Sequence, residues 1–311
     1  MNEQKEEKLK LIKLNLGKEL IGFIEDKDVN EIAVNDNQMV SICTFSKGWI
    51  DTEKKMEEEK TLSIIRLVAD YEGIIVNEIA PTLETTFPDG SRFSASINPV
   101  SPPSFNLRKH SILIFSLDDY IKQGNISKEE KEIICESIRN KENILIIGAT
   151  GSGKTTFANA CIAEIEATKE RLLIAEDTKE IQCKSQNTLR LLTSPTFPMV
   201  KVIEHSLRRT PERLVVGEVR GKEALYLLTG WNSGHGGGVC TIHSHTALKG
   251  LRQLEQYILR ESLNPQKELI ADNINLIIVL EKIGNKRKIV EIKRMKGLDE
   301  NNNYILDDIK K

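Results

Sequence analysis

Apolar and polar residues change their spacing near residue 112, and this change predicts two domains. Before that point, apolar residues in 1–27 and 54–71 recur at the spacing of amphipathic helices. Short apolar runs bounded by turn residues predict a hairpin at 29–45, two strands within 82–97 and one strand at 105–109. Prolines cluster at 99–103, just before the spacing changes. Residues 1–112 are therefore predicted to form a small N-terminal α+β domain.

From residue 113 to residue 311, short apolar runs alternate with helical patterns. Strands are predicted at 143–147, 171–175, 214–216, 238–242 and 275–280, with a loop region after residue 175. Such alternation is typical of an α/β fold, a mainly parallel sheet covered by helices. Beyond Gly284, apolar residues alternate with charged ones and predict edge strands. Because such sheets bind ligands at the carboxyl ends of their strands, polar residues at those ends are candidate site residues.

A glycine-rich turn follows the first of these strands. It reads G-A-T-G-S-G-K-T-T and comprises Gly148, Ala149, Thr150, Gly151, Ser152, Gly153, Lys154, Thr155 and Thr156. Strand, glycine loop and helix in this order predict a phosphate-binding loop, since glycines let backbone N–H groups surround phosphate oxygens. The lysine of such a loop reaches the β- and γ-phosphates, and its threonine is a ligand for Mg²⁺. A dinucleotide fingerprint is excluded, because Thr150 stands where its second glycine is required.

Acidic residues follow two later strands. Glu176 ends the strand at 171–175, and Glu218 follows the strand at 214–216. A carboxylate near a γ-phosphate can orient a water molecule or accept its proton, so both residues are candidates for catalysis. The alternative for Glu218 is an ion pair with Arg220.

His243 follows the strand at 238–242 and is the third candidate. A histidine at a strand end can sense a γ-phosphate by hydrogen bonding. Its spacing from Cys240, His245 and His235 fits none of the common zinc patterns. Arginine binds phosphate oxygens well, but the sequence alone does not choose among Arg92, Arg108, Arg208, Arg209 and Arg213.

Composition narrows the class of protein. The 311 residues include 44 Lys plus Arg and 46 Asp plus Glu, a net charge of −2, so no stable nucleic-acid partner is expected. The first residues, M-N-E-Q-K-E-E-K, contain no apolar h-region, so no secretory signal is expected, and no apolar run is long enough to span a bilayer. Its five cysteines are scattered without a C-x-x-C pair. These observations predict a cytoplasmic protein with reduced thiols.

Four motifs in order resemble those of the secretion ATPase superfamily, which powers type II secretion, type IV secretion and type IV pili. The Walker A motif is G-A-T-G-S-G-K-T-T at 148–156, and the so-called Asp box is I-A-E-D-T-K-E-I at 174–181. The Walker B motif is L-V-V-G-E-V-R-G at 214–221, and the His box is G-V-C-T-I-H-S at 238–244. The chain looks most similar to the conjugal-transfer, TrbB-like branch of type IV secretion ATPases.

This resemblance implies a RecA-like P-loop ATPase domain joined to the smaller N-terminal domain. It implies that the protein binds ATP and Mg²⁺, hydrolyses ATP, and assembles as a homohexamer with nucleotide between the two domains. It also implies inner-membrane secretion-channel components as partners, and leaves open a peripheral association with the inner face of the cell membrane.

The same resemblance implies roles for single residues. Glu176 corresponds to the catalytic glutamate and Glu218 to the Walker B acid, which with Thr155 would hold the metal. Arg92 and Arg108 align loosely with arginines that bind phosphates. Ala149 departs from the glycine usual in this branch.

Two other functions compete with a secretion motor. A RecA-type nucleic-acid translocase would share the nucleotide site, but 5% aromatic residues and a net charge of −2 argue against a basic, aromatic channel. A nucleotide-gated scaffold would need no turnover, and two intact acidic strand ends argue against it.

Overall fold

The structure, a computed structural model, describes residues 3–109, 115–194, 196–284 and 286–310. It divides into two compact units, Met1–Ile112 and Leu113–Lys311. No helix in these described ranges is both long and apolar enough to cross a membrane.

The first unit is an antiparallel sheet with two helices on one face. In chain order its elements are α1 (Glu3–Glu25), β1 (Val29–Val34), β2 (Met39–Thr44), β3 (Gly48–Lys55), α2 (Glu58–Glu72), β4 (Thr82–Thr86), β5 (Arg92–Ser96) and β6 (Ser104–Arg108). The strand order is β3-β2-β1-β6-β5-β4. Alternate strand residues such as Phe93 and Leu107 pack with Ile12 of α1 and Ile64 of α2. The period-two alternation thus buries one face of the sheet.

The helix predicted at 54–71 begins later in the structure, at Glu58. Lys54 and Lys55 lie in β3, where they pair with Val40 and Met39 of β2. β3 was not predicted, because most of its side chains are polar or exposed and its sequence shows no clear apolar alternation. Its hairpin pairing with β2 decides its conformation.

The second unit is an eight-stranded sheet with helices on both faces. In chain order its elements are α3 (Leu117–Lys122), α4 (Lys128–Arg139), β7 (Ile144–Gly148), α5 (Lys154–Glu166), β8 (Leu172–Glu176), β9 (Thr188–Leu192), α6 (Met199–Leu207), β10 (Arg213–Val216), α7 (Glu223–Gly230), a π-helical turn (Trp231–His235), β11 (Val239–Ile242), α8 (Ala247–Ile258), α9 (Lys267–Asn273), β12 (Leu276–Ile283), β13 (Lys286–Leu298) and β14 (Tyr304–Asp308). The strand order is β14-β13-β12-β7-β11-β10-β8-β9. The six strands from β12 to β9 are parallel, and β13 and β14 are antiparallel additions.

Two details differ from the sequence prediction. The region after residue 175, predicted as a loop, contains β9 and α6. The tail, predicted to form edge strands, places β13 inside the sheet and only β14 at its edge. β9 pairs with β8 and β13 pairs with β12, and local sequence does not reveal these pairings.

Apolar side chains alternate between the two faces of this parallel sheet. Ile147 and Val216 face one core with residues of α6, α7 and α8, whereas Ile146 and Val215 face the other with residues of α4 and α5. A parallel sheet buried on both faces reads as continuous apolar runs, which is why these strands were predictable. The strands β7, β11, β10 and β8 are adjacent and parallel, so their carboxyl ends meet at one edge.

A buried ion pair joins the opposite ends of three of these strands. Arg213, 1% exposed, begins β10 and forms an ion pair with Glu170, which precedes β8. The same guanidinium donates a hydrogen bond of 2.9 Å to the carbonyl oxygen of Gly237, which precedes β11. Arg213 was one of the candidate phosphate-binding arginines. In the structure it links the amino ends of β8, β10 and β11 instead.

We expect Arg213→Met to lower the free energy of unfolding by about 1–3 kcal/mol, because Glu170 and the buried carbonyl oxygen of Gly237 each lose a hydrogen-bond donor. Lys141, half exposed and also paired with Glu170, is the matched control. Lys141→Met should lower the free energy of unfolding by less than about 1 kcal/mol. Urea unfolding at pH 7 measures both, and equal losses would contradict this role of Arg213.

The same pair predicts a pH dependence. Burial opposes ionisation of Glu170, but hydrogen bonds from Lys141, Thr168 and Arg213 lower its pKa from 4.5 to about 2. Its stabilising contribution is therefore full above pH 4.5 and is lost as the pH falls towards 2. Arg213→Met should remove part of this acid sensitivity, since Lys141 and Thr168 remain beside Glu170; parallel stability profiles of wild type and variant below pH 4.5 would refute it.

Candidate nucleotide site

The glycine-rich loop connects β7 to α5 and depends on three glycines for its shape. Gly151 and Gly153 have φ of +74° and +94°, a left-handed conformation that side chains disfavour. A Cβ at Gly148 would lie 2.3 Å from Oγ of Ser152. This is the backbone shape in which successive N–H groups surround an anion at a helix N-terminus. The hydroxyl oxygen of Ser152 is buried without a hydrogen-bond partner in the described residues, as expected of a loop that binds a polar ligand.

Lys154 lies in the first turn of α5 and is only 7% exposed. Its ammonium donates to the carbonyl oxygens of Gly148 at 2.9 Å and Ala149 at 3.2 Å, and it lies 3.1 Å from Nδ1 of His243. Because an ammonium group only donates, Nδ1 accepts, and the proton of a neutral ring is then on Nε2. The loop lysine is therefore in contact with the end of β11.

His243 in turn connects the loop to the end of β10. Its Nε2 lies 2.8 Å from Oε1 of Glu218, and Oε2 of Glu218 accepts a hydrogen bond of 2.8 Å from Arg220. Three predicted site residues, Lys154, His243 and Glu218, are thus brought together in one chain of contacts. The ion pair with Arg220, which the sequence left as the alternative for Glu218, exists within the same chain.

His235, another histidine of the set considered for zinc, has a different contact. The Nδ1–H group of His235 donates a hydrogen bond of 2.8 Å to the carbonyl oxygen of Pro211. Within the described ranges, no group of three or more His, Cys, Asp and Glu side chains is arranged to hold a metal ion.

Glu176 is buried at the end of β8, with 3% of its side chain exposed. Its carboxylate forms an ion pair with Arg190 of β9 and accepts hydrogen bonds of 2.9 Å from the backbone N–H groups of Glu180 and Ile181. Burial raises the pKa of this carboxyl, and the two N–H groups and Arg190 act against that rise. These contacts fold the segment after β8 into a fixed turn.

That turn brings a different carboxylate to the phosphate loop. The hydroxyl of Thr155 lies 3.4 Å from Oε2 of Glu180, and Asn159 of α5 holds the backbone at 180 and 182. Glu180 is the second glutamate of the motif I-A-E-D-T-K-E-I and is not among the site residues predicted from the sequence. The sequence feature that could have identified Glu180 is its position four residues after Glu176, in a segment that returns towards α5.

A cavity of about 530 Å³ opens beside the loop and His243. It is lined by Ala149, Thr150, His243, Ser244, His245, Lys249, Arg252, Gln253 and Gln256. These side chains supply cations, imidazoles and amides but no carboxylate. The cavity is therefore suited to an anionic group held next to the loop.

The remaining predicted residues, Arg92 and Arg108, lie in the first unit. They are directly opposite each other on β5 and β6 and therefore share one face of the sheet. Ser94 and Asn106 are the next pair along this face, which is the one turned away from α1 and α2. Two neighbouring cations on a polar sheet face are compatible with a phosphate contact, which stays a prediction.

The second unit and its site define a class of protein, the P-loop nucleotide-binding proteins with a parallel α/β sheet. Within that class, the chain belongs to the family described as type II/IV secretion system protein, whose sequence pattern matches residues 52–296. The resemblance inferred from the four motifs is confirmed.

Individual relatives support the conjugal-transfer branch. The chain is 37% identical over 294 residues to the conjugal transfer protein TrbB of Rhizobium radiobacter, covering 93% of this chain and 90% of that protein. It is 38% identical over 281 residues to a probable TrbB of Sinorhizobium fredii, covering 89% and 86%. The type IV secretion system protein VirB11 of Bartonella henselae is 28% identical over 319 residues, covering 87% and 89%.

Solved structures confirm the predicted α/β fold. The ATPase DotB of Legionella pneumophila matches with a TM-score of 0.65 at 19% identity, covering 90% of this chain and 80% of that one. The pilus retraction motor PilT with bound ADP matches with a TM-score of 0.63 at 19% identity, covering 88% and 81%.

Arg190→Met tests the anchoring of the turn after β8. We expect it to lower the free energy of unfolding by about 3–5 kcal/mol, since it leaves the buried Glu176 carboxylate without its cation. The double variant Glu176→Gln/Arg190→Met should recover part of that loss, because the uncompensated charge is gone. Urea titrations of the three proteins measure the coupling, and strictly additive losses would argue against the pair.

Proposed function

We propose that this protein is a Mg²⁺-dependent ATPase that drives a type IV secretion or conjugal transfer machine. The observation that carries the proposal is the chain of contacts from Lys154 through His243 to Glu218, built on the carboxyl ends of adjacent parallel strands. This chain joins the phosphate loop to the residues that would meet the γ-phosphate. Membership of the secretion family supports the biological role.

Phosphate binding is assigned to the loop from Gly148 to Thr156. Its glycine conformations, the helix N-terminus and Lys154 fit a triphosphate. Lys154 would exchange its contacts with loop carbonyls and His243 for phosphate oxygens. His243 and Glu218 would then respond to the γ-phosphate, since Lys154 is their link to the loop.

Mg²⁺ is assigned to Thr155 together with Glu180. Hydroxyl and carboxylate oxygens are the ligands that Mg²⁺ prefers, and it usually keeps several waters, so two protein groups suffice. When bound, it supplies positive charge that neutralises phosphate oxygens. Glu218, the metal ligand expected from the resemblance, bonds Arg220 through Oε2, and its Oε1 lies beside His243 but has no hydrogen-bond partner among the described residues. We therefore assign Glu218 to orienting water beside His243, and Glu176 to holding the turn that carries Glu180.

Lys154→Ala should abolish ATP turnover and weaken nucleotide binding at least tenfold, because it removes the charge that faces the phosphates. Phosphate release and binding of a fluorescent ATP analogue measure the two effects. Lys141→Ala, which removes a cation at the opposite ends of the strands, is the control and should leave both unchanged. Wild-type turnover in Lys154→Ala would refute this site.

Substitutions of the two glutamates of the Asp box should have different effects. Glu180→Gln should keep the stability of the wild type but raise the Mg²⁺ concentration needed for nucleotide binding, because it removes an anionic metal ligand. Glu176→Gln should lower the free energy of unfolding, because Arg190 loses its anion. Titrations of Mg²⁺ against nucleotide binding, together with urea unfolding, distinguish them. If Glu180→Gln needs the same Mg²⁺ concentration as the wild type, Glu180 is not a metal ligand, and Glu218 becomes the candidate ligand.

Membership of the family supports a proposal for the assembly and its partners. We propose a homohexamer that works with inner-membrane channel components, at the inner face of the membrane. Mass measurement with and without a non-hydrolysable ATP analogue tests the ring, and six copies in at least one state are expected. A monomer in both states would contradict it.

A further inference from the structure

The β12–β13 hairpin touches every glycine of the phosphate loop. The carbonyl oxygen of Leu280, on β12, lies 2.5 Å from where a Cβ of Gly148 would stand. On β13, Nε of Arg287 donates a hydrogen bond of 3.1 Å to the carbonyl oxygen of Gly151. The Cδ atom of Arg287 lies 3.0 Å from where a Cβ of Gly153 would stand. One hairpin therefore contacts the loop at all three of its glycines.

The position of the hairpin follows from strand register. β12 pairs in parallel with β7, with Leu280 opposite Gly148, where β7 ends. β12 continues for three residues, so the hairpin extends past the sheet edge where the phosphate loop lies. The start of β13, which includes Arg287, therefore lies beside the loop.

The charges on this hairpin favour an anion nearby. Arg287 stands directly opposite Lys282 in the antiparallel register. Like charges opposite each other on paired strands are destabilising. A phosphate group held in the adjacent loop would offset this repulsion. The guanidinium is tied to Gly151 through Nε, so its charge is held at the loop rather than released to solvent.

From these contacts we infer that Arg287 is a positioning residue of the nucleotide site, which rests on the proposed function. Its guanidinium holds the carbonyl of Gly151 outward, and its aliphatic part packs over Gly153. Both contacts stabilise the conformation in which the loop N–H groups face the phosphates. The ligand class is a nucleoside di- or triphosphate bound by this loop.

This role predicts that a substitution of Arg287 weakens the binding of ADP and of ATP equally. Arg287 contacts Gly151 and Gly153 of the loop, which ADP and ATP share. Arg287→Met keeps an aliphatic chain over Gly153 but removes the donor and the charge. We expect it to weaken binding of ADP and of a non-hydrolysable ATP analogue alike, by about tenfold.

The experiment compares four proteins by calorimetric titration with ADP and the analogue. Arg287→Lys keeps a charged donor and should recover binding to within about threefold of wild type. Lys288→Met removes the next cation of the same strand, which points to the other face of β13, and should bind like wild type. Thermal unfolding checks that each variant is folded, and Arg287→Gln replaces Arg287→Met if the latter is not.

A second readout uses the protein without nucleotide. Hydrogen exchange at residues 148–153 should be faster in Arg287→Met than in wild type and Lys288→Met, with other peptides unchanged. Equal nucleotide binding in Arg287→Met and wild type, or an equal loss in Lys288→Met, would overturn the inference while leaving the proposed function intact. A wild type that binds neither nucleotide would overturn both.

Discussion

The ammonium group of Lys154 is the point on which the site depends. It is buried, and it holds two carbonyl oxygens of its own loop and the imidazole of His243. A buried charge is stable only when it is paired or fully hydrogen-bonded, so these acceptors are required as long as no phosphate is present. The same acceptors tie the loop to the ends of neighbouring strands. A ligand that attracts Lys154 must therefore change the surroundings of His243 and Glu218, which gives the fold a physical means of registering its nucleotide.

Ion pairs fix the strands that carry these residues at both of their ends. Arg213 joins the amino ends of β8, β10 and β11 through Glu170 and Gly237. At the carboxyl end of β8, Arg190 and Glu176 form a second buried pair. Buried pairs contribute little net stability but are costly to break, so they specify geometry. In this protein they set where the strand ends, and hence the site residues, lie.

The two glutamates of the Asp box have different surroundings. Glu176 and Glu180 belong to one motif, and sequence spacing does not reveal this difference. Glu176 satisfies two backbone N–H groups and Arg190, whereas Glu180 reaches the hydroxyl of Thr155.

The sequence by itself determined the α/β fold of the second unit, the phosphate loop and the family. These features are local: continuous apolar runs mark strands buried on both faces, and the loop needs glycine at fixed positions for its φ angles. Tertiary structure alone decided what depends on the pairing of one element with another. The polar strand β3 is held by its pairing with β2, and Glu176 is enclosed because β9 brings Arg190 beside it. Arg287 reaches Gly151 across 136 residues because β12 pairs with β7, a register that no local pattern encodes.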